Sequence, residues 1–210
     1  MPRRVKLQPK SDNQRDYLYS LNDPAVNYVS VFGPAGTGKS YLAAYYIAQE
    51  LLEDRIKKIY IARSVITLPT EKIGFLPGGV SDKYEPFLEQ MTEYLEEFIP
   101  NFDRYLNRFE ILPLGMVRGR SLRDSIIWCD EAQNLSYDVL KALITRVDDS
   151  SKLILSGDLE QSDLAYSHTD FEEFCDRLET MVAFEVVELD DSDQARNKNI
   201  TEINKRLKRE

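Results

Sequence analysis

Histidine, cysteine and long apolar runs are scarce in this chain of 210 residues, and each shortage excludes a class of protein. The single histidine, His168, argues against histidine-rich metal chemistry and against a Ser/His/Asp triad. The two cysteines, Cys129 and Cys175, form no Cys-x-x-Cys pair, which disfavours a disulfide scaffold or structural zinc and is typical of a reducing compartment. No apolar run of about 18 residues is present, and the start Met1-Pro-Arg-Arg lacks a signal-peptide core. We therefore expect a cytoplasmic protein (host cytoplasm if viral) without membrane contact.

The charge balance is acidic, with 36 Asp and Glu against 27 Lys and Arg and a net charge of -9. Such a field repels nucleic acid on average, so any nucleic-acid contact needs a local basic patch. Two clusters near the ends are candidates: Arg3, Arg4, Lys6 and Lys10, and Lys205, Arg206, Lys208 and Arg209. The alternative is that both clusters are solvated terminal segments.

Short β-rich runs alternate with segments of helical spacing along the chain. The predicted strands are 28–32, 58–62, 108–112, 125–129, 152–156 and 183–189, and the predicted helices are 13–21, 41–53, 84–98, 137–147 and 171–178. Strands separated by helices predict βαβ units and a mainly parallel sheet covered on both faces. We expect one α/β domain over 1–210, with a core of about 13–196 and a charged tail, 197–210.

The strongest motif matches G-x-x-x-x-G-K-[ST] between the first predicted strand and the following helix. Its residues, called the phosphate loop below, are Gly33, Pro34, Ala35, Gly36, Thr37, Gly38, Lys39 and Ser40. Glycines let backbone N–H groups surround a phosphate, and the helix N-terminus adds partial positive charge. Lys39 would then contact the β- and γ-phosphates, and the Ser40 hydroxyl would ligate Mg²⁺. The alternative is a glycine-rich turn without a ligand.

Two acids follow the apolar run Ile126-Ile-Trp-Cys129, which is typical of a buried strand. Ligands of open α/β sheets bind at the carboxyl ends of the strands, where Asp130 and Glu131 would lie. Asp130 suits Mg²⁺ binding through the ion's water shell, and Glu131 suits activation of the attacking water. The alternative is an acidic helix N-terminus.

A third polar segment, Ser156-Gly-Asp158-Leu-Glu-Gln161, follows another predicted strand. Its position makes Gln161 and Asp158 candidate sensors of a γ-phosphate. The alternative is an ordinary surface loop.

The phosphate loop, Asp130-Glu-Ala-Gln133 and Gly157-Asp-x-x-Gln161, in this order, resemble the first core domain of superfamily 1 helicases. The segments Gly74-Phe-Leu-Pro-Gly78 and Pro113-Leu-x-x-x-Arg118-Gly-Arg120 narrow the resemblance to PhoH-like proteins, an ATP-binding family. The resemblance implies a three-layer, RecA-like P-loop NTPase fold, binding of ATP with Mg²⁺, ATPase activity and a role in RNA metabolism.

Two weaker matches extend this resemblance. Gln14 resembles the glutamine with which superfamily 1 helicases recognise adenine, since its amide can pair with both a donor and an acceptor. Arg196, in Asp193-Gln-Ala-Arg196, resembles the family's late arginine, which could neutralise γ-phosphate charge. The alternatives are a polar pair at a helix start and a surface arginine.

We therefore predict an Mg²⁺-dependent ATPase that couples hydrolysis to remodelling of RNA or single-stranded nucleic acid. The alternative is a nucleotide-gated module that binds RNA or protein with little turnover. Superfamily 1 helicases grip a strand between two RecA-like domains, whereas this chain has room for one. We therefore expect a homo-oligomer, a hexamer by family resemblance, in which Arg196 reaches a neighbour's ATP, with Arg118 and Arg120 as further candidates.

Overall fold

The described residues form a six-stranded parallel sheet with helices on both faces, in a computed structural model that describes residues 7–63, 85–159 and 170–195. The strands, in the spatial order β3-β2-β4-β5-β1-β6, are β1 Tyr28–Phe32, β2 Lys58–Arg63, β3 Phe109–Pro113, β4 Ser125–Cys129, β5 Lys152–Gly157 and β6 Phe184–Glu188. Every strand pair is parallel. The predicted α/β architecture is confirmed, and the sheet described is parallel throughout.

Within the described ranges, five α-helices cover the sheet in two layers. They are α1 Asp12–Asn22, α2 Lys39–Leu52, α3 Glu85–Phe98, α4 Tyr137–Ile144 and α5 Asp170–Leu178. The first three pack on one face, with strand residues such as Val29 and Trp128, and the last two pack on the other, with Ile127 and Leu155. Adjacent residues of one strand alternate between the two cores, so β4 and β5 are buried along their whole length and mainly apolar.

The N-terminal helix is fixed at both ends. Ser11 caps its start by accepting a hydrogen bond from the backbone N–H of Gln14 (3.1 Å). At its end the ammonium of Lys152, on β5, donates to the carbonyl oxygens of Leu21 (2.6 Å) and Asp23 (3.0 Å). Lys152 therefore satisfies carbonyl groups that a helix end leaves without partners.

The strand order brings the phosphate loop and the two predicted acids to one edge of the sheet. Strand β5 lies between β1 and β4, and Phe32 at the end of β1 is level with Gly157 at the end of β5. Cys129, at the end of β4, is level with Leu155. The carboxyl ends of three neighbouring strands therefore carry the phosphate loop, the two acids and the turn after Gly157. In the described part of the chain, no helix is long and apolar enough to cross a membrane.

Candidate nucleotide-binding site

The phosphate loop has the backbone that a phosphate cradle requires. Gly36 and Gly38 have positive φ angles of 89° and 96°, which side chains other than glycine rarely adopt. At Gly33, a Cβ atom would lie 2.5 Å from the carbonyl oxygen of Leu189, so no larger residue fits there. Helix α2 then begins at Lys39 without a side-chain cap, which leaves its first N–H groups facing the loop.

Lys39 folds back over the phosphate loop. Its ammonium donates to the carbonyl oxygen of Gly33 and to that of Pro34 (3.0 Å). Burial lowers the pKa of Lys39 below its ordinary value, while the carboxylates of Asp158, Asp130 and Glu131 act in the opposite direction. Lys39 is a half-buried cation held by loop carbonyls, and it can exchange these hydrogen bonds for phosphate oxygens.

Two serine hydroxyls hold the carboxylate of Asp130. Ser40 donates to one oxygen (3.0 Å) and Ser156, near the end of β5, donates to the other (2.7 Å). The backbone N–H of Glu131 donates to the second oxygen as well (3.1 Å). The structure thus brings together the two residues predicted to bind the metal, Ser40 and Asp130, and adds Ser156, whose hydroxyl role the sequence does not reveal.

Glu131 has a left-handed backbone conformation, with a φ of 57°. This conformation is uncommon for a residue with a Cβ and is typical of positions where the surrounding structure imposes it. The carboxylate accepts a hydrogen bond from the side-chain amide of Gln133 (2.7 Å). The two acids therefore follow β4 directly, in an abrupt turn and not in the first turn of an α-helix.

Gln14 braces the phosphate loop from helix α1. Its amide nitrogen donates to the carbonyl oxygens of Thr37 (2.9 Å) and Asp193 (3.0 Å), and its amide oxygen accepts from the N–H of Lys10 (2.8 Å). Both amide hydrogens are in use, so pairing with adenine would require these bonds to be exchanged. The structure shows a positioning contact for Gln14, and its recognition of adenine stays a prediction.

The segment before Arg196 lies on the outside of the phosphate loop. Gln194 donates to the carbonyl oxygen of Ala35 (2.7 Å), and the N–H of Ala195 donates to that of Gly36 (3.0 Å). Lys10, a member of the N-terminal basic cluster, donates to the carbonyl oxygen of Ala195 (3.2 Å). The predicted site residues Gln161 and Arg196 themselves lie outside the described residues, as does His168. Of the further candidate arginines, Arg120 pairs with Glu110 (2.7 Å), whereas Arg118 is exposed.

These residues fit a nucleotide with Mg²⁺. The uncapped start of α2 and the positive-φ glycines suit phosphate oxygens. The Asp130 carboxylate and the Ser40 hydroxyl supply hard oxygen ligands of the kind that Mg²⁺ prefers, and this ion commonly binds through one or two carboxylates together with substrate phosphates. Among the residues the structure describes, no three His, Cys, Asp or Glu side chains form a complete metal cage, so phosphates and water would supply the remaining ligands.

The parallel α/β fold and the phosphate loop together define a protein of the P-loop nucleotide-binding class. The family model described as "PhoH-like protein" matches residues 6–208, and the chain therefore belongs to the PhoH-like family. This confirms the resemblance drawn from the motifs.

Curated relatives agree with this family assignment, and a solved structure has a similar fold. The chain is 33% identical over 203 residues to the PhoH-like protein of Mycobacterium tuberculosis (strain H37Rv), covering 94% of this chain and 56% of that protein. It is 37% identical over 164 residues to the PhoH-like protein of Bacillus subtilis (strain 168), covering 75% and 50%. The chain thus spans about half the length of these relatives. The large terminase from a thermophilic bacteriophage has a similar fold, with a TM-score of 0.62, 12% identity, and coverage of 97% of this chain and 51% of that one.

Proposed function

We propose that this protein is an Mg²⁺-dependent ATPase whose turnover is coupled to RNA or single-stranded DNA. The observation that carries the proposal is the pair of serine hydroxyls on Asp130, next to the phosphate loop and to a second acid. A glycine-rich turn that binds no ligand would not require a carboxylate next to it. Here Asp130 accepts a hydrogen bond from Ser40, in the first turn of the helix that follows the loop. The arrangement matches the parts that P-loop hydrolases use for metal and water.

Each site residue has a role in this proposal. Lys39 binds the β- and γ-phosphates after releasing the loop carbonyls, and Ser40 with Asp130 holds Mg²⁺. When bound, Mg²⁺ neutralises charge on the phosphate oxygens. Glu131 orients a water molecule and accepts its proton, which is general-base catalysis. Gln161 and Arg196, which the motifs place near the γ-phosphate, complete the proposed catalytic set.

We further propose that the chain works as a homo-oligomer, with a hexamer as the expected form. An arginine aimed at the transition-state charge contributes ~10³–10⁵ in rate to related reactions. Arg196 is the candidate, because the residues before it contact the phosphate loop. The same contact would equally serve an arginine acting within its own chain, and the mixing experiment in the Discussion distinguishes the two.

Phosphate release by the purified protein tests this function. We expect ATP turnover in the presence of Mg²⁺, loss of turnover when EDTA removes the ion, and faster turnover with single-stranded RNA or DNA. If ATP binds and changes the affinity for RNA but is not hydrolysed, the protein is a nucleotide-gated binding module instead. If ATP does not bind, the phosphate-loop assignment is wrong.

A further inference from the structure

Gln133 is a fully buried amide that the proposed chemistry leaves without a role. Its nitrogen donates to the carboxylate of Glu131 (2.7 Å), and its oxygen accepts the backbone N–H of Asp158 (3.1 Å). The same side chain thus joins the second acid after β4 to the turn after β5. Buried amides need hydrogen-bond partners, but these two partners belong to the two parts of the site predicted to act on the γ-phosphate end of the nucleotide.

The two partners fix which way the amide points. A carboxylate only accepts hydrogen bonds when ionised, and a backbone N–H only donates. Turning the amide over would place its oxygen against the Glu131 carboxylate and its nitrogen against the N–H of Asp158, which loses both bonds. A glutamine with its nitrogen toward Glu131 is therefore the only orientation that satisfies both neighbours.

Gln133 is also tightly packed against Gly157. A Cβ at Gly157 would lie 2.9 Å from the Gln133 amide oxygen and 2.9 Å from the ring of Phe171. These distances are shorter than those at which Cβ atoms contact other atoms in proteins, so a side chain at position 157 would displace the amide or the ring. The glycine in Ser156-Gly-Asp158 therefore leaves room for the amide that bridges the two strands.

We infer that Gln133 is the positioning residue for Glu131, tying the water-activating carboxylate to the turn after β5. Glu131 is exposed at an abrupt turn, so its flexible side chain needs a hydrogen-bond partner to hold the carboxylate in one direction. Gln133 provides that partner and makes Glu131 and the N–H of Asp158 move as one unit. The inference rests on the proposed function, in which Glu131 activates the attacking water.

Gln133→Glu is the informative variant because it changes one end of the bridge. The introduced carboxylate can still accept the Asp158 N–H, but it places a negative charge where the amide donated to Glu131. Like charges at hydrogen-bond distance repel, so the two acids either move apart or share one proton, and in both cases the Glu131 carboxylate becomes a poorer acceptor for the proton of the attacking water. Gln133→Met, which has a similar shape and no hydrogen-bonding amide, removes both bonds without adding charge.

Gln49→Glu is the matched control. It makes the same change from amide to acid in α2, where Gln49 donates to the hydroxyl of Tyr45 (2.8 Å). The position is about 15 Å along the helix from Lys39, given a rise of about 1.5 Å per residue. We expect this variant to bind and turn over ATP as the parent protein does.

The test measures ATP affinity, kcat and thermal unfolding in the parent protein, Gln133→Glu, Gln133→Met, Glu131→Gln and the double variant Glu131→Gln/Gln133→Glu. We expect Gln133→Glu to bind ATP within about twofold of the parent, while kcat falls about 10²-fold, the usual scale for misplacing a catalytic group by about 1 Å. Gln133→Met should lower kcat in the same direction. In the double variant, the amide introduced at position 131 can donate to the acid introduced at position 133. We therefore expect the double variant to regain most of the decrease in unfolding temperature that Gln133→Glu causes.

The possible outcomes distinguish the positioning role of Gln133 from the ATPase proposal. A parent kcat in Gln133→Glu, or unfolding effects that simply add in the double variant, would overturn the positioning role while leaving the ATPase intact. A stability loss with kcat unchanged would show a structural role only and would also overturn it. A further outcome is that the parent protein binds ATP without hydrolysing it, while the changes in unfolding temperature of the two single variants do not add up to that of the double variant. In that case the ATPase proposal fails and the Gln133–Glu131 bridge stands.

Discussion

In the proposed function, Lys39 is the side chain on which nucleotide affinity should depend most. It is the one cation that the phosphate-loop motif supplies, and its ammonium already lies over the loop carbonyls. We expect Lys39→Ala to abolish productive ATP binding, because the loop backbone remains but its mobile positive charge is lost. Equilibrium binding of ATP checks this, with Lys57→Ala as the control, since Lys57 is largely exposed and pairs with Asp124. Unchanged affinity in a folded Lys39→Ala protein would contradict the phosphate-loop assignment.

Replacement of Ser156 should weaken the hold on the Asp130 carboxylate. The hydroxyls of Ser40 and Ser156 each donate to a different oxygen of Asp130, so Ser156→Ala leaves one of these oxygens with the backbone N–H of Glu131 as its remaining donor. We expect a requirement for more Mg²⁺, by about tenfold to a hundredfold, as for other residues that orient a metal ligand. The measurement is the Mg²⁺ dependence of turnover, compared with Ser150→Ala in an exposed turn. The same Mg²⁺ dependence in both variants would show that Ser156 does not orient Asp130.

Sequence patterns predict the individual site residues better than the contacts between them. Lys39, Ser40, Asp130 and Glu131 stand in motifs whose chemistry follows from residue type and position after a strand. The left-handed conformation of Glu131 and the bridge through Gln133 depend on where β4 and β5 end relative to each other. No local pattern carries that information, so these features appear only in the folded chain.

Among the elements, the central strands are the most predictable. The predicted strand at 125–129 is confirmed at both ends, because a short apolar run enclosed by polar residues leaves little choice. The predicted helix at 137–147 is wrong at its end, since α4 stops at Ile144. Val147, which continues the apolar spacing, instead forms a parallel bridge with Leu122. Its apolar side chain serves a tertiary contact and not the helix face.

The start of β3 shows a similar effect of tertiary contacts. The β-rich spacing predicts a strand from position 108, but Phe102–Arg108 forms a 3₁₀-helix and the strand begins at Phe109. The Arg108 guanidinium donates to the carbonyl oxygens of Lys57 (2.6 Å) and Ile56, which immediately precede β2. These bonds fix Arg108 as the end of the preceding turn.

Helix α1 is held by Lys152, and this contact has a measurable consequence. The ammonium lies against the carbonyl oxygens at the end of α1 and over the ring of Tyr46. We expect Lys152→Met to lower the free energy of unfolding by about 1–3 kcal/mol, because buried carbonyl oxygens lose their donor. ATP affinity should weaken as well, since α1 carries the Gln14 that braces the phosphate loop. Denaturant unfolding checks the stability, and equal stability of the two proteins would contradict this account of the contact.

The same lysine predicts a pH dependence. Burial lowers the pKa of Lys152 to about 8, below that of an unfolded lysine, although the charges of Glu50 and Asp23 oppose this. Between about pH 8 and 10 the folded protein then binds fewer protons than the unfolded one, so its free energy of unfolding rises with pH. Over this pH range, the free energy of unfolding of the parent protein should therefore increase relative to that of Lys152→Met. A constant difference would mean that the ammonium keeps its proton.

At the scale of the whole molecule, the proposed assembly predicts complementation between subunits. Arg196→Ala and Glu131→Gln should each be inactive alone. If Arg196 acts on a neighbour's ATP, mixed oligomers regain activity where an intact Glu131 site meets an intact Arg196. We expect partial recovery on mixing, measured as phosphate release across a range of subunit ratios. Full activity of a monomer, or normal turnover by Arg196→Ala, would rule out this assembly.

The central claim is that Glu131 converts a nucleotide-binding site into an ATPase, and single-turnover hydrolysis by Glu131→Gln tests it most directly. The amide keeps the shape of the side chain and can still hydrogen-bond water, but it cannot accept a proton. With enzyme in excess over ATP and Mg²⁺ present, we expect ATP to bind with unchanged affinity and to be cleaved ~10²–10⁴-fold more slowly than by the parent protein. Cleavage at the parent rate by the folded variant would contradict the account, because another residue would then activate the water.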